Sequence, residues 1–193
     1  LFQKSLVTDA STGSGVWIGL GGTVPLGLER DYPMLQGKDF GEVLTLGSGT
    51  WDPLLVHGLS LKNGSTLISA SLVARLTLYE NRFGYRSGSV AQGKFDLEHK
   101  LAETALDFLG SLGYRHQWRA RRDGQNVLNS GGDWVTLTPG LGWRFDDDFR
   151  VRVSVELPLW RNLNAGPDDI EQPVNGQTDP DQRWFLSLSY QRE

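Results

Sequence analysis

The sequence predicts an all-β fold: a transmembrane antiparallel up-and-down β-barrel of about eight strands, or the visible part of a ten- to twelve-stranded one. Three observations predict it. Apolar and polar residues alternate with a period of two in segment after segment, short and long connections take turns along the chain, and the arginines gather on the polar face of the strands.

The alternation is clearest late in the chain. In 133–145, Val135, Leu137, Pro139, Leu141, Trp143 and Phe145 form one face, and Trp134, Thr136, Thr138, Gly140, Gly142 and Arg144 the other. In 149–160, Phe149, Val151, Val153, Val155, Leu157 and Leu159 alternate with Arg150, Arg152, Ser154, Glu156, Pro158 and Trp160. The polar turn Asp146-Asp147-Asp148 joins them into a hairpin.

Upstream, Val16, Ile18, Leu20, Val24 and Leu26 alternate with Trp17, Gly19, Gly21 and Thr23. Ile68, Ala70, Leu72, Ala74, Leu76 and Leu78 alternate with Ser69, Ser71, Arg75, Thr77 and Tyr79. Phe108, Leu112, Tyr114 and Trp118 alternate with Asp107, Ser111, Arg115, Gln117 and Arg119. At the end, Trp184, Leu186, Leu188 and Tyr190 oppose Arg183, Phe185, Ser187 and Ser189. The segment 51–61 is a strand by its flanking turns, with both faces mixed. Phe95–Leu101 reads as a strand, although Leu97, Leu101, Ala105 and Leu109 also fit helical spacing.

Connections sort by length. From the C-terminus they run 161–182 long, 146–148 short, 121–132 long, 102–106 short, 81–94 long, 62–65 short, 27–50 long and 8–14 short. Bacterial barrels place short turns at the periplasmic end and long loops outside.

Face polarity separates a membrane barrel from a soluble one, whose enclosed face is apolar. Here the polar face carries Arg75, Arg115, Arg119, Arg144, Arg150, Arg152, Glu156 and Arg183, the candidate lumen residues. The apolar face is aliphatic along its middle, and Tyr114, Trp118, Trp143, Phe145, Phe149 and Trp184 form a candidate aromatic girdle. The clear segments are also long enough for the roughly 9–11 residues a tilted strand needs to cross.

Composition agrees. The 193 residues form a single barrel domain, 1–193, and carry a net charge of −4, which does not suggest a nucleic-acid partner. There is no cysteine, and no run of 18 apolar residues; the nearest, 67–78, is broken by Ser69, Ser71 and Arg75. The opening residues lack the marks of a signal peptide, as expected of a mature chain or of one that starts within a barrel.

Catalytic and metal readings find no support in the spacing. His57, His99 and His116 lack metal-ligand spacing, and Ser111 stands on the face opposite His116. No enzyme, metal or cofactor is therefore expected. Gly19-Leu20-Gly21-Gly22 is not followed by a helix, so it fails as a phosphate loop. Asp168, Asp169, Glu171, Asp179 and Asp181 read as a solvated outer loop.

Several motifs carry a resemblance. Gly47-Ser48-Gly49-Thr50-Trp51-Asp52-Pro53, Asn129-Ser130-Gly131-Gly132-Asp133-Trp134 and Val155-Glu156-Leu157-Pro158-Leu159-Trp160 occur in order, with Trp118-Arg119-Ala120-Arg121-Arg122-Asp123 between the first two. From about Val16 to Tyr190 the chain resembles the outer-membrane barrel family of meta-pathway phenol-degradation and transporter-like proteins. The resemblance implies a monomeric barrel in the bacterial outer membrane, with further strands before Val16. The chain departs from that pattern in ending Tyr190-Gln191-Arg192-Glu193 rather than on an aromatic residue.

The expected role is passive passage or uptake of small anionic or aromatic solutes, with outer-membrane lipid and a small solute as partners. The alternative is a non-conducting barrel that holds a protein partner in its lumen or presents its outer loops.

Overall fold

The computed structural model describes residues 2–9, 13–23, 49–81, 84–101, 104–128, 130–145, 149–164 and 183–190. These residues form twelve strands and no helix: β1 (Phe2–Asp9), β2 (Ser14–Thr23), β3 (Asp52–Asn63), β4 (Thr66–Arg75), β5 (Tyr85–Arg86), β6 (Val90–Lys100), β7 (Leu106–Gln117), β8 (Arg121–Arg122), β9 (Gln125–Asn126), β10 (Gly132–Arg144), β11 (Phe149–Leu163) and β12 (Arg183–Tyr190).

Nine of them make one sheet in the order β1-β2-β3-β4-β6-β7-β10-β11-β12, every pair antiparallel and every neighbour next in the path. This is the expected up-and-down meander, with β1 as a ninth strand. Among the described residues β1 and β12 are the sheet's two edges, and no pairing closes them. The candidate helix around Phe95–Leu106 is strand through Lys100: Val90–Lys100 pairs residue for residue with β4 and β7. A helix there would leave both neighbours without partners for their N–H and C=O groups.

The connections alternate as expected, and all four long ones leave the same end of the sheet. Two of them fold against each other. The segments 76–89 and 118–131 contribute β5, β8 and β9, which form a separate three-stranded sheet. The β8–β9 hairpin turns on Asp123 and Gly124, at φ of 50° and 76°. Positive φ at both central residues is the geometry that favours Asp-Gly. Trp118 N–H donates to the Ser89 carbonyl at 3.0 Å and Asp123 N–H to the Gly84 carbonyl at 2.8 Å, so the two loops are joined through backbone. The expected bounds shift accordingly: β4 stops at Arg75 and β6 starts at Val90.

Residues paired across strands share a face, so register assigns every side chain. One face collects Trp17, Arg75, Glu98, Asp107, Arg115, Trp134, Arg144, Arg150, Arg152 and Arg183. The other collects Leu20, Leu55, Leu59, Leu72, Phe95, Phe108, Leu112, Leu141, Val153, Leu186 and Leu188, all exposed. The register also resolves 51–61: Leu55, His57, Leu59 and Leu61 share the apolar face.

One expectation is corrected. A β-bulge at Leu159 of β11, opposite the Val135–Thr136 step of β10, shifts the register, so Trp160 stands opposite Val135 on the apolar face and Arg161 opposite Trp134 on the polar one. The extra residue inverts the parity of every position beyond it.

The sheet is strongly bent, with the polar face inside the bend. Glu98 on β6 meets Arg150 on β11 at 3.1 Å although two strands lie between them. Across a flat sheet these backbones would stand about 14 Å apart.

Gly131 sits at a close approach of loop and sheet. Its φ is +73°, and a Cβ there would collide with the Gln117 carbonyl oxygen and lie 2.6 Å from that of Trp118. Gly131→Ala should therefore destabilise the fold by about 1–3 kcal/mol. The check is a lower denaturant midpoint of the purified protein, with Gly124→Ala, which has open space, as the comparison.

Candidate functional site

The polar face carries ten cations against five acids among the described residues. Lys62, Lys94, Lys100, Arg75, Arg115, Arg144, Arg150, Arg152, Arg161 and Arg183 share it with Asp52, Asp96, Glu98, Asp107 and Glu156. The chain as a whole is acidic, so this face is basic by placement.

Towards the short-turn end lies one connected ion-pair cluster. Asp107, fully buried, is approached by Arg144 Nε at 3.3 Å and by Arg150 Nη2 at 3.3 Å. Glu98 accepts hydrogen bonds from Arg150 at 3.1 Å and from Arg152 at 2.9 Å. Three guanidiniums thus surround two carboxylates. Gly142, directly opposite Asp107, makes the seat: a Cβ there would lie 3.3 Å from the Asp107 Cβ. A guanidinium cannot discharge, so burial on this scale needs such partners.

The long-loop end is organised differently. Asp52 is fully buried; Thr50 Oγ1 donates to it at 2.7 Å, and Arg75 Nε lies 3.9 Å from its other oxygen. Trp51, between them, is exposed, and its N–H donates to the Tyr79 hydroxyl at 2.7 Å. Within Gly47–Pro53, residues 49–53 are described, and their polar side chains build the anchor for Arg75.

Arg115 stands apart from the paired arginines. Its guanidinium lies 5.5 Å from the Trp134 ring centroid and donates to Gln117 Oε1 at 2.9 Å, with no ion pair among the described residues. Arg183 pairs only loosely with Glu156, at 3.9 Å, and is mostly exposed.

Of the candidate lumen residues, Arg75, Arg115, Arg144, Arg150, Arg152, Glu156 and Arg183 share the polar face as expected. Arg119 falls beyond the end of β7, in the connection that holds β8 and β9. Among the candidate girdle residues, Trp143, Phe145 and Phe149 gather at the short-turn end, with ring centroids 6.0 and 5.5 Å apart. Tyr114 and Trp118 mark the long-loop end; Trp184 opposes Val155, midway along β11.

Asp133, among apolar neighbours, was not singled out by sequence reasoning. It accepts from the Tyr114 hydroxyl at 2.6 Å and lies 2.7 Å from His116 Nδ1, whose ring meets Trp118 edge-on at 4.4 Å. A carboxylate in the parity of Val135 and Leu137 was the signal. His57 Nδ1 bonds the Trp17 carbonyl at 3.0 Å and His99 Nδ1 the Thr66 hydroxyl at 2.9 Å, so the three histidines stand on separate strands with separate partners. Among the described residues no cluster has metal-ligand composition.

The acidic residues of 165–182 and the turn Asp146–Asp148 lie outside the described residues. No protein-family model matches the chain, and no curated protein matches it.

Removing the charge of Asp107 should be more damaging than removing that of Glu98, because Asp107 is fully enclosed. Asp107→Asn leaves Arg144 without its carboxylate and Arg150 with Glu98 alone; the loss should be about 3–5 kcal/mol. Glu98→Gln should cost less. Equal midpoints for the two variants in denaturant titrations would show that burial does not govern the cluster.

Proposed function

We propose that the chain is a bacterial outer-membrane β-barrel that lets small anionic solutes pass passively along its arginine-rich concave face. One observation carries the membrane part of this reading: the polarity of the fold is inverted. Among the described residues the buried hydrophobic side chains are Val56 and Ala120, while Leu20, Leu61, Leu141, Trp184, Leu186 and Leu188 are each more than half exposed.

Magnitudes favour lipid over water. A large apolar side chain left in water forfeits about 1.5–3 kcal/mol of burial free energy. Net folding stability is only about 5–15 kcal/mol. A sheet that exposes a whole apolar face and encloses almost none cannot be stable in water by that account. In hydrocarbon the same face is at its most favourable, and a closed antiparallel barrel satisfies every backbone group. The exposed aromatic residues at both strand ends suit the two headgroup levels. Sorting of the long loops to one end suits the outer surface. The resemblance to the phenol-degradation and transporter-like barrels points the same way, on its motifs alone.

The anion preference follows from the excess of cations on the concave face and from Arg115, the guanidinium there without an ion pair among the described residues. Rings of fixed charge set the selectivity of wide pores. A second reading, a non-conducting barrel that holds a partner in its lumen, draws on the crossing ion pairs between β6 and β11.

Planar-bilayer recording of the full-length protein tests both. Steady conductance steps are expected, with a reversal potential on the anion-selective side under a salt gradient. Arg115→Ala should move that potential toward the non-selective value without altering the denaturant midpoint. A folded, membrane-inserted protein that never conducts would sink passage in favour of the partner-holding barrel. A protein that stays monomeric without detergent would sink both.

A further inference from the structure

The small sheet built from two long loops presents a row of donors that no acid pairs among the described residues. Register places Arg86 of β5 opposite Arg121 of β8, and Arg121 opposite Asn126 of β9, so the three side chains share one face. Like charges directly opposite each other on a sheet destabilise it. Here the pair is built into strands of two residues each, where little else offsets the repulsion.

Neither arginine forms an ion pair among the described residues. Arg121 Nε donates to Asn126 Oδ1 at 3.3 Å, which leaves the Asn126 amide hydrogens pointing to further acceptors. The acids nearest in sequence are occupied or turned elsewhere. Glu80 accepts from Gly124 N–H at 2.9 Å, and the Asp123 carboxylate lies against Gly84, where a Cβ would collide with its Oδ1. Arg122 and Tyr85 take the opposite face.

The position of this row adds a second argument. The sheet is joined through backbone to Trp118 and Ser89, at the end of the large sheet where Trp118 and Tyr79 are exposed. In the membrane reading, on which this inference rests, exposed aromatic rings at a strand end stand at headgroup depth. Two guanidiniums and a carboxamide at that depth meet one abundant partner, the phosphate of an anionic lipid. Its oxygens accept the bidentate bonds that guanidinium planes offer.

The geometry points to a lipid-phosphate site on the loop sheet: Arg86 and Arg121 clamp one headgroup phosphate from two strands, and Asn126 donates beside them. Bound phosphate turns the like-charge repulsion between β5 and β8 into attraction and fastens the two loops together. The site lies outside the concave face, so it acts independently of solute passage.

The test uses the full-length protein in zwitterionic detergent, with retained lipid measured by native mass spectrometry. The probes are a bis-phosphorylated glycolipid of the outer leaflet, the same glycolipid without phosphates, and inorganic phosphate as competitor. Preferential retention of the phosphorylated form is expected. Arg86→Gln and Arg121→Gln should each weaken it about tenfold, as loss of a charged hydrogen-bond donor does. Arg119→Gln, outside the row, should not.

Equal retention of the two glycolipids, or retention unchanged in both row variants, overturns the site. Displacement of the lipid by inorganic phosphate at matching concentration overturns the lipid as its source. Should Arg86→Gln fail to fold, Arg121→Gln alone decides, because that side chain is exposed and bonded only to Asn126 among the described residues. A folded, membrane-inserted protein without phosphate selectivity sinks this site and leaves the barrel reading intact.

Discussion

The whole arrangement depends on continuous antiparallel pairing from β1 to β12, with register shifts only in the β1–β2 and β10–β11 pairs among the described residues. In a fold with a packed core, register is reinforced by burial on one side. Here almost nothing apolar is buried among the described residues, so backbone hydrogen bonding between neighbours and the polarity of the two faces hold it alone. A slip of one residue in any pair would carry arginines to the apolar face and leucines to the ion-pair cluster. The cost of that exchange, accumulated residue by residue along strands of eight to fifteen residues, keeps each pairing in place.

The bulge in β11 illustrates the same constraint at its limit. Past it, Trp160 goes outward and Arg161 inward. The exchange suits both ends of the residue pair, because Trp160 is exposed beside the apolar face and Arg161 returns to the polar one. The bulge therefore corrects a sequence whose simple alternation would have put a tryptophan among the arginines. It was illegible in the sequence because Pro158-Leu159-Trp160 continues the period of two without interruption; only the partner strand shows where a residue is skipped.

Most of the fold was legible because a period of two is a local property. Most strands of the large sheet declare their faces in five or six residues, with 51–61 the exception, and short turns alternate with long connections between them. Seven of the eight candidate lumen residues share one face for that reason, and Arg119 misses it because its strand stops at Gln117. The loop sheet was not legible in the same way. Its pairing of Tyr85–Arg86 with Arg121–Arg122 joins segments that no local pattern connects. The Asp123-Gly124 turn was the one local signal, and it announces a hairpin without saying what the hairpin meets. The candidate site divides likewise. Charge on the polar face could be read from parity, but which arginines are held and which are free depends on distances across a bent sheet.

That division separates two kinds of arginine. Arg144, Arg150 and Arg152 are bound into the wall by Asp107 and Glu98, and their charge is committed to holding β6, β7, β10 and β11 together. Removing water from a paired guanidinium is tolerable only because its carboxylate goes with it. Such groups make poor ligands for a passing solute, since a new anion would have to displace a partner already in contact. Among the described residues Arg115 meets no carboxylate: it rests on the face of Trp134 and bonds a neutral amide. A cation over an aromatic ring keeps its charge available to an anion approaching from the other side. The polar face thus carries two arrangements: a connected cluster of three guanidiniums and two carboxylates towards the short turns, and Arg115 on its aromatic ring beside the separate Asp52–Arg75 pair towards the long loops.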